Sequence, residues 1–257
     1  MTVTYHVVYF RGGTPMILNR EWIEGNRDAM KEWEQEAYDY FKEMMENRDQ
    51  PYPCVPGVQG FQKDMVRYGF ASGEPEAAGG KLASMLSEYT RMSRSAGTFT
   101  SLVVFFEWKE GTVDGFRDRF WGLLNQLHAD DPVPWPEGIS EDPSHHSWEF
   151  CHHGESYFAF CATPAHQKRK SRHFPYFMMA FQPRWVFEEI NSGTPLGQKM
   201  KKIIRYRLEK YDEVEVHPSL KWYGQEDNFE WQQYYLGDDD ASISKCPFLN
   251  SLKAAKR

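Results

Sequence analysis

The chain lacks the short sequence motifs that most directly reveal a catalytic mechanism. It has no GxGxxG pattern for a flavin or nicotinamide nucleotide, no HExxH pattern for a zinc hydrolase and no GxSxG pattern for a serine hydrolase. No pair of cysteines stands in CxxC spacing. These absences leave dinucleotide-dependent redox chemistry, HExxH metalloproteases and α/β-hydrolases without support from the sequence.

Other features that are scarce or absent narrow the location and the partners. Only 4 cysteines occur, none of them closely paired, which is typical of a reducing compartment. No apolar run reaches membrane-spanning length, and the N-terminus has no basic start followed by an apolar segment. The net charge is −7, with both signs interspersed and no stripe of Lys and Arg. We therefore expect a soluble, cytoplasmic protein without a membrane or nucleic-acid partner.

Aromatic residues, by contrast, are abundant. They make up 16% of the chain, with 9 Trp, 14 Tyr and 18 Phe. Rings in such number favour a ring-lined cavity for a flat or aromatic ligand. A core that is simply rich in aromatic residues is an equal alternative.

Periodic patterns predict helices and strands in a single domain, residues 1–257, with 1–25 as an N-terminal extension or hairpin. The run SLVVFFEW (101–108) is β-branched, aromatic and continuously apolar, which favours a central strand. Residues 176–181 predict a second central strand, and alternation over 148–160 predicts a half-buried one. Amphipathic helices are predicted over 26–47, 79–94, 115–128 and 197–211.

The irregular order of these elements favours an α+β fold, with a central mixed β-sheet covered by helices. An α/β fold with a mainly parallel sheet is the alternative. Residues 50–57, QPYPCVPG, contain three prolines within six residues. Because proline fixes φ and removes a donor, we expect this segment to be irregular and to wrap over the surface or line a cavity.

The most informative segment is 147–184, which concentrates aromatic rings, imidazoles and guanidinium groups within 38 residues. His166, Arg169 and Arg172 follow one another at spacings of three, which predicts that they face one side of a helical turn or a wrapped loop. One imidazole and two guanidinium groups facing one way suit a buried anionic cofactor. The alternative is that His166 caps a turn and both arginines are solvated.

A series of longer motifs carries a resemblance to a known family. In chain order they are YPCVPG (52–57), RYGF (67–70), DDPVPWP (130–136), SWEFC with a following GE (147–155), TPAHQKRKSR (163–172), FQPRWVF (181–187), IRYRLEKYD (204–212), HPSLKWYG (217–224), NFEWQQYYL (228–236) and CPF (246–248). Over roughly residues 50–248 the sequence resembles the YqcI/YcgG family. Characterised relatives of that family are haem proteins that N-hydroxylate guanidine or amino groups of small molecules, including arginine, and many members have no assigned activity.

The resemblance implies a haem b cofactor, for which the central segment offers partners. A haem needs an axial ligand on iron, cationic or hydroxyl groups for its propionates and apolar rings around the porphyrin. His166 is then the expected axial metal ligand. Arg169 and Arg172 are the expected propionate partners, because a guanidinium can hold a carboxylate by two parallel hydrogen bonds. Trp148 is expected to contribute a ring beside the porphyrin.

Other residues are alternative candidates for the iron ligand or for binding the substrate. Cys151 is the second candidate ligand, since a thiolate on haem iron promotes O–O cleavage, although a buried strand cysteine is more often a small hydrophobe. The family leads us to expect an aromatic residue in place of His152, so a role for this imidazole near the iron would be particular to this chain. Glu155, after a bend at Gly154, is the candidate carboxylate for a cationic substrate, with Glu149 as its alternative.

Arg184 stands at the end of the second predicted strand, a common place for a working side chain. It could bind a haem propionate or the carboxylate of the substrate. A structural ion pair with Asp212 or Glu188 is equally compatible with the sequence.

The implied function is that of a haem-dependent oxygenase that uses dioxygen to N-hydroxylate a guanidine or amino group of an arginine-like small molecule. An external reductase is expected to supply electrons, because the chain has no dinucleotide motif of its own. The serious alternative is a non-catalytic haem-binding or gas-sensing protein. A metal hydrolase at the histidines of 145–153 and an enzyme with a Ser or Cys nucleophile have less support, and a homodimer is possible.

Overall fold

A computed structural model describes residues 15–190, 193–221 and 226–248. Within these ranges it contains helices α1 (Arg20–Gly25), α2 (Glu32–Glu46), α3 (Val55–Gln62), α4 (Pro75–Ala96), α5 (Val113–Ala129), α6 (Pro195–Tyr211) and α7 (Trp231–Tyr234). The strands are β1 (Val66–Ala71), β2 (Ser101–Phe106), β3 (Phe150–His152), β4 (Glu155–Ala162) and β5 (Phe177–Pro183). Short 3₁₀ helices lie at Arg27–Ala29, Lys170–Arg172 and Arg184–Ile190.

The five strands form one mixed sheet in the order β1-β2-β5-β4-β3. The β1–β2 pair is parallel, and the other three pairs are antiparallel. All six residues of β2 are buried, as expected for a central strand. The prediction of an α+β fold with a central mixed sheet is therefore confirmed.

The sheet separates two hydrophobic cores, because neighbouring residues on a strand point to opposite faces. On the first face, Leu102 and Phe181 belong to a core that α4 and α5 cover. On the second face, Val103 and Phe105 belong to a core formed with α2 and α3. Helix α6 lies near α3 and the 3₁₀ turns at 170–172 and 184–190.

The helix predictions over 79–94, 115–128 and 197–211 are confirmed, with α4, α5 and α6 slightly longer than expected. The prediction over 26–47 is correct only from Glu32, since Met30 has extended backbone (φ −96°, ψ 148°) and separates a 3₁₀ turn from α2. No helix in the described ranges is both long and apolar enough to cross a bilayer.

The proline-rich segment is irregular only as far as Cys54, so the prediction for 50–57 is partly wrong. Helix α3 begins at Val55 with Pro56 in its first turn, where the missing N–H would have no partner within the helix. The expectation that this segment lines a cavity is confirmed, since its residues from Tyr52 to Cys54 border the mainly apolar cavity described below.

The alternating run over 148–160 forms two strands rather than one. Strands β3 and β4 are joined by a tight turn in which His153 (φ 52°) and Gly154 (φ 75°) both have left-handed backbone, as a two-residue hairpin of type I′ requires. The N-terminal extension or hairpin predicted over 1–25 lies partly outside the described ranges, which begin at residue 15. In its described part, Leu18 pairs with Tyr68 beside β1, and α1 buries Ile23 in the second core.

Candidate functional site

A cavity of about 340 Å³ lies on the second face of the sheet, between strands β2, β4 and β5, helices α3 and α6, and residues 228–236. Its volume is within the range of small-molecule sites. Met178 and Ala180 of β5 and Phe158 and Phe160 of β4 form the sheet wall. Helix α6 provides the opposite wall because its apolar side turns inward, with Met200, Ile204 and Leu208. Most of the surface that a ligand would meet is therefore apolar.

One end of the cavity holds buried charges. Arg184 Nη1 lies 3.0 Å from Glu230 Oε2, and Arg184 Nε lies 3.7 Å from Glu149 Oε1. The Tyr234 hydroxyl donates to Glu230 Oε1 at 3.0 Å. Burial raises the pKa of Glu230 to about 7, and the nearby Glu149 adds to this rise while Arg184 opposes it. The cluster places one guanidinium beside two carboxylates in a buried setting.

Gln182 extends this polar end along β5. Its side chain is 8% exposed and lines the cavity, yet in the described ranges no acceptor is within hydrogen-bond distance of Nε2. A neighbouring amide pair is satisfied, since Gln233 Nε2 donates to Asn228 Oδ1 at 2.8 Å. Because a buried donor without an acceptor is costly, Gln182 Nε2 indicates that a ligand or water completes this wall.

Arg172 lines the cavity but uses most of its donors within the protein. Nη1 donates to the carbonyl oxygens of Cys161 (3.3 Å) and Tyr234 (2.8 Å), and Nη2 donates to that of Gln233 (2.8 Å). The guanidinium carbon lies 4.2 Å from the ring centroid of Phe160. Arg172, a sequence candidate for a propionate partner, thus lines the cavity, and its hydrogen bonds mainly hold the β4 wall to the C-terminal segment.

Arg169 has a similar structural role. Its Nε donates to the Gly237 carbonyl at 2.9 Å, and Nη1 and Nη2 donate to the carbonyls of Glu215 (3.2 Å) and Asp239 (3.1 Å). Asp212, 3.8 Å from Arg169, accepts hydrogen bonds from the backbone and hydroxyl of Ser171. The ion pair anticipated between Arg184 and Asp212 is therefore not formed, because Asp212 is held by Arg169 and Ser171 instead.

The other end of the cavity carries a thiol. Of the four cysteines, all of them in the described ranges, Cys54 alone lines the cavity. Its Sγ lies over the first turn of α3, so that a Cβ on Gly57 would come within 3.1 Å of it. Burial raises the pKa of the Cys54 thiol, while the Gly57 N–H, Arg172 and Arg207 oppose this rise. The Tyr52 hydroxyl donates to the Ser171 carbonyl at 2.9 Å.

His166 does not lie at this cavity, contrary to the expectation that it faces the same way as Arg169 and Arg172. It is 1% exposed, and both ring nitrogens are engaged: Nδ1 with Thr163 Oγ1 at 2.8 Å and Nε2 with the Leu236 carbonyl at 2.7 Å. The three-residue spacing predicted a shared face, but the chain here is a loop that reaches helical geometry only at Lys170. This geometry fits a structural role, in which His166 joins its own loop to the Leu236 backbone, and not the role of an axial ligand.

The burial of His166 predicts a pH-dependent stability. Burial lowers its pKa from 6.5 to about 4. Because the folded-state pKa lies below the unfolded one, protonation of His166 favours the unfolded state. The free energy of unfolding is therefore highest above pH 6.5 and decreases as the pH falls toward 4. We expect wild type to lose about 2 kcal/mol more unfolding free energy between pH 7 and 4.5 than His166→Gln does. Urea unfolding at several pH values measures this difference.

The control for this measurement is His145→Gln, because His145 is exposed. We expect this variant to follow the wild-type pH dependence. Equal slopes for wild type and His166→Gln would show that His166 is not held neutral in the folded state.

The remaining sequence candidates lie away from the cavity. Trp148 is packed in the first core against Phe248 and Tyr234. His152 contacts Ser87 (3.2 Å) and Asp131 (3.4 Å), and Glu155 pairs with Arg94 at 3.1 Å. Both side chains are on the first face of the sheet, since His152 pairs with Glu155 and Glu155 alternates in step with Tyr157 of the first core.

Cys151 also fails to reach the cavity lining. Its thiol is buried and contacts the Glu149 carbonyl at 3.4 Å, and burial raises its pKa. Across the ranges that the structure describes, no three His, Cys, Asp or Glu side chains are grouped so that they could hold a metal ion. The metal-hydrolase alternative at the histidines of 145–153 therefore gains no support.

A second cavity, of about 480 Å³, lies between the start of α5 and residues 237–243. Asp114, Asp238 and Asp239 line it together with His217. His217 Nδ1 accepts the Ser219 N–H at 3.1 Å. The three carboxylates outnumber the two cations on this lining, Arg117 and Lys168, which makes it less suited to an anionic cofactor than the first cavity.

Three residues that were not among the sequence candidates are thus central to the site: Cys54, Gln182 and Glu230. The sequence does contain an indication for Cys54, because a cysteine between prolines at the start of a helix is set in a rigid turn. A single sequence contains no such indication for Glu230 and Gln182, because their burial depends on contacts between distant segments.

The comparisons with known proteins agree with the motifs. The model of the YqcI/YcgG family matches residues 41–249. Two Bacillus subtilis (strain 168) proteins, "Uncharacterized protein YqcI" and "Uncharacterized protein YcgG", are 44% and 43% identical over 91% and 90% of this chain and 95% and 94% of their own lengths. The Streptomyces lavendulae protein "Putative N(omega)-hydroxy-L-arginine synthase DcsA" is 32% identical over 86% of both chains.

No solved structure matches the chain. The family assignment therefore rests on sequence, and it covers every segment that borders the first cavity. The motif YPCVPG supplies the thiol end, and FQPRWVF and NFEWQQYYL supply the charged end. The protein belongs to the YqcI/YcgG family.

Proposed function

We propose that this protein is an oxygenase that binds haem b in the first cavity and hydroxylates a nitrogen of a guanidine or amino group on a small molecule. The observation that carries the proposal is the cavity itself, whose apolar walls join a buried cluster of one guanidinium and two carboxylates. The relationship to a protein whose printed name is an N(omega)-hydroxy-L-arginine synthase supports the same chemistry.

The lining fits a haem in its chemistry. Phe158, Phe160 and Met178 offer apolar contacts to a flat ring. Cations for propionates stand on the lining at Lys201 and Arg205 of α6 and at Lys221, whose Nζ lies 2.9 Å from Asp227 Oδ2. Burial and the charge of Arg205 lower the pKa of Lys201 to about 8, which a neighbouring anion would reverse. When bound, haem supplies an iron centre for dioxygen.

The chain's own residues would position the substrate. Glu230 would pair with a cationic guanidinium or ammonium of the substrate, and Glu149, on the other side of Arg184, adds a second negative charge. Such a charge pair is strong where water is excluded. Gln182 Nε2 can donate to an acceptor on the ligand. Transfer of one oxygen atom into an N–H bond needs a pair of electrons and a pair of protons, and the second oxygen leaves as water. A separate reductase is the proposed electron source, since the chain has no dinucleotide motif.

The proposal predicts a Soret band. Protein expressed with a haem precursor, or reconstituted with hemin, is expected to show one haem per chain by absorption and pyridine haemochrome. With dioxygen and a reductase, arginine-like guanidines and amines should give N-hydroxylated products detectable by mass spectrometry. Well-folded protein that takes up no haem would exclude the proposal. Stable haem without turnover of any such substrate would point instead to a haem-binding or gas-sensing protein.

A further inference from the structure

The thiol of Cys54 is the strongest ligand for a transition metal on the first cavity. Among the described residues no imidazole lines that cavity, and the other three thiols lie elsewhere. The other donors on the lining are weaker or engaged. Met178 offers a thioether, and the Tyr52 hydroxyl donates to the Ser171 carbonyl. The Asp212 and Glu230 carboxylates are paired with Arg169 and Arg184. A thiolate is the better ligand, because it carries a charge that balances the iron.

The position of Cys54 is rigid. Pro53 precedes it and Pro56 follows within the first turn of α3, so that the backbone φ is fixed on both sides. Gly57 leaves room for Sγ over this turn, since any larger residue would bring a Cβ to 3.1 Å from it. Two cations also lie close, since Arg172 lines the same cavity and Arg207 Nη1 donates to the Tyr52 carbonyl at 3.1 Å. The Cys54 side chain is therefore already oriented to bind a metal, without further ordering of the backbone.

A second observation at the same cavity points to a ligand. Gln182 is more than nine-tenths buried on the cavity wall, and its Nε2 meets no acceptor in the described parts of the chain. A native protein rarely leaves such a donor unmatched. A group inside the cavity is therefore expected to accept from Gln182 Nε2, and the Cys54 thiol forms part of the same lining.

We propose that the Cys54 thiolate, and not an imidazole, is the axial ligand of the iron. This inference rests on the proposed haem-dependent function and makes the site a haem–thiolate centre. On binding, the S–H bond breaks, the proton leaves to solvent and the Fe–S bond forms, with no change in the oxidation state of iron or sulfur. Thiolate ligation also suits an oxygenase, since it favours O–O cleavage.

The test is the absorption spectrum of the reduced, CO-bound protein, because a thiolate ligand shifts its Soret band to markedly longer wavelength than an imidazole ligand does. Wild type should show the long-wavelength band. Cys54→Ser should lose it, and Cys54→His should retain haem but change to the imidazole-type spectrum. Cys246→Ser, a matched thiol variant away from the cavity, should match wild type. Circular dichroism and melting curves confirm that each variant is folded.

The other outcomes overturn the inference. A wild-type CO spectrum of imidazole type, or a long-wavelength band that survives in Cys54→Ser, would exclude Cys54 while leaving the haem function intact. Loss of the band in Cys151→Ser, with Cys54→Ser unchanged, would show that Cys151 is the ligand of the iron. Folded wild type that binds no haem would overturn both this inference and the proposed function.

Discussion

Replacing Arg172 with alanine is expected to lower the free energy of unfolding by about 3–5 kcal/mol. The guanidinium is buried and donates to the carbonyls of Cys161, Tyr234 and Gln233. Each carbonyl left without a donor costs about 1–3 kcal/mol, and contact with the Phe160 ring is also lost. Chemical denaturation of the purified variant measures the change.

Arg172→Lys should recover little of this loss, because one ammonium cannot reproduce the fixed fork that spans three carbonyls. The matched control is Arg91→Ala on the exposed side of α4, which should change stability by no more than about 0.5 kcal/mol. A loss below 1 kcal/mol for Arg172→Ala would contradict the role of Arg172 in joining β4 to the C-terminal segment.

Local patterns predicted the scaffold well because burial here follows short-range periodicity. Strand β2 is rich in apolar residues and lies inside the sheet, α4 and α5 each carry an apolar stripe that faces the first core, and the apolar stripe of α6 faces the first cavity. The exceptions come from single residues with special backbone. Met30 interrupts the helical run before α2, and the left-handed pair His153 and Gly154 turns one predicted strand into a hairpin.

The site was harder to predict because its side chains meet only in the folded chain. Residue types singled out three arginines, Arg169, Arg172 and Arg184, and all three line the first cavity. Spacing alone failed for His166, since its partners are Thr163 nearby and the Leu236 carbonyl some seventy residues away. Local sequence contains no information about the second of these contacts.

Glu155 and Glu230 illustrate the same limit. The sequence favoured Glu155, which follows a glycine bend beside the aromatic segment. Strand alternation then places it on the first face of the sheet beside Arg94, away from the cavity. Glu230 reaches the cavity only because residues 228–236 fold back over β4 and β5. The carboxylate proposed for the substrate therefore moves from one residue to the other.

Glu230→Gln is expected to raise KM for a cationic guanidine or amine at least about tenfold, with a smaller change in kcat. The substitution keeps the volume of the side chain and removes its charge, and a lost buried charge pair costs about 2–5 kcal/mol. About 1.4 kcal/mol corresponds to a factor of ten. Haem content should be unchanged, since Glu230 serves the substrate and not the iron. Steady-state kinetics of the haem-loaded variant, with haem measured in parallel, tests both statements.

The pH dependence separates this role from a merely structural one. Burial raises the pKa of Glu230 to about 7, so that the carboxylate needed to pair with a cation forms as the pH rises through that value. Wild-type kcat/KM for a cationic substrate should therefore increase across about pH 6–8, and Glu230→Gln should lose this increase. Glu155→Gln is the decisive comparison, because it removes a carboxylate that already pairs with Arg94 on the other face. If Glu155→Gln raised KM and flattened the pH profile while Glu230→Gln did neither, the substrate would be bound on the first face of the sheet and the proposed cavity would be the wrong one.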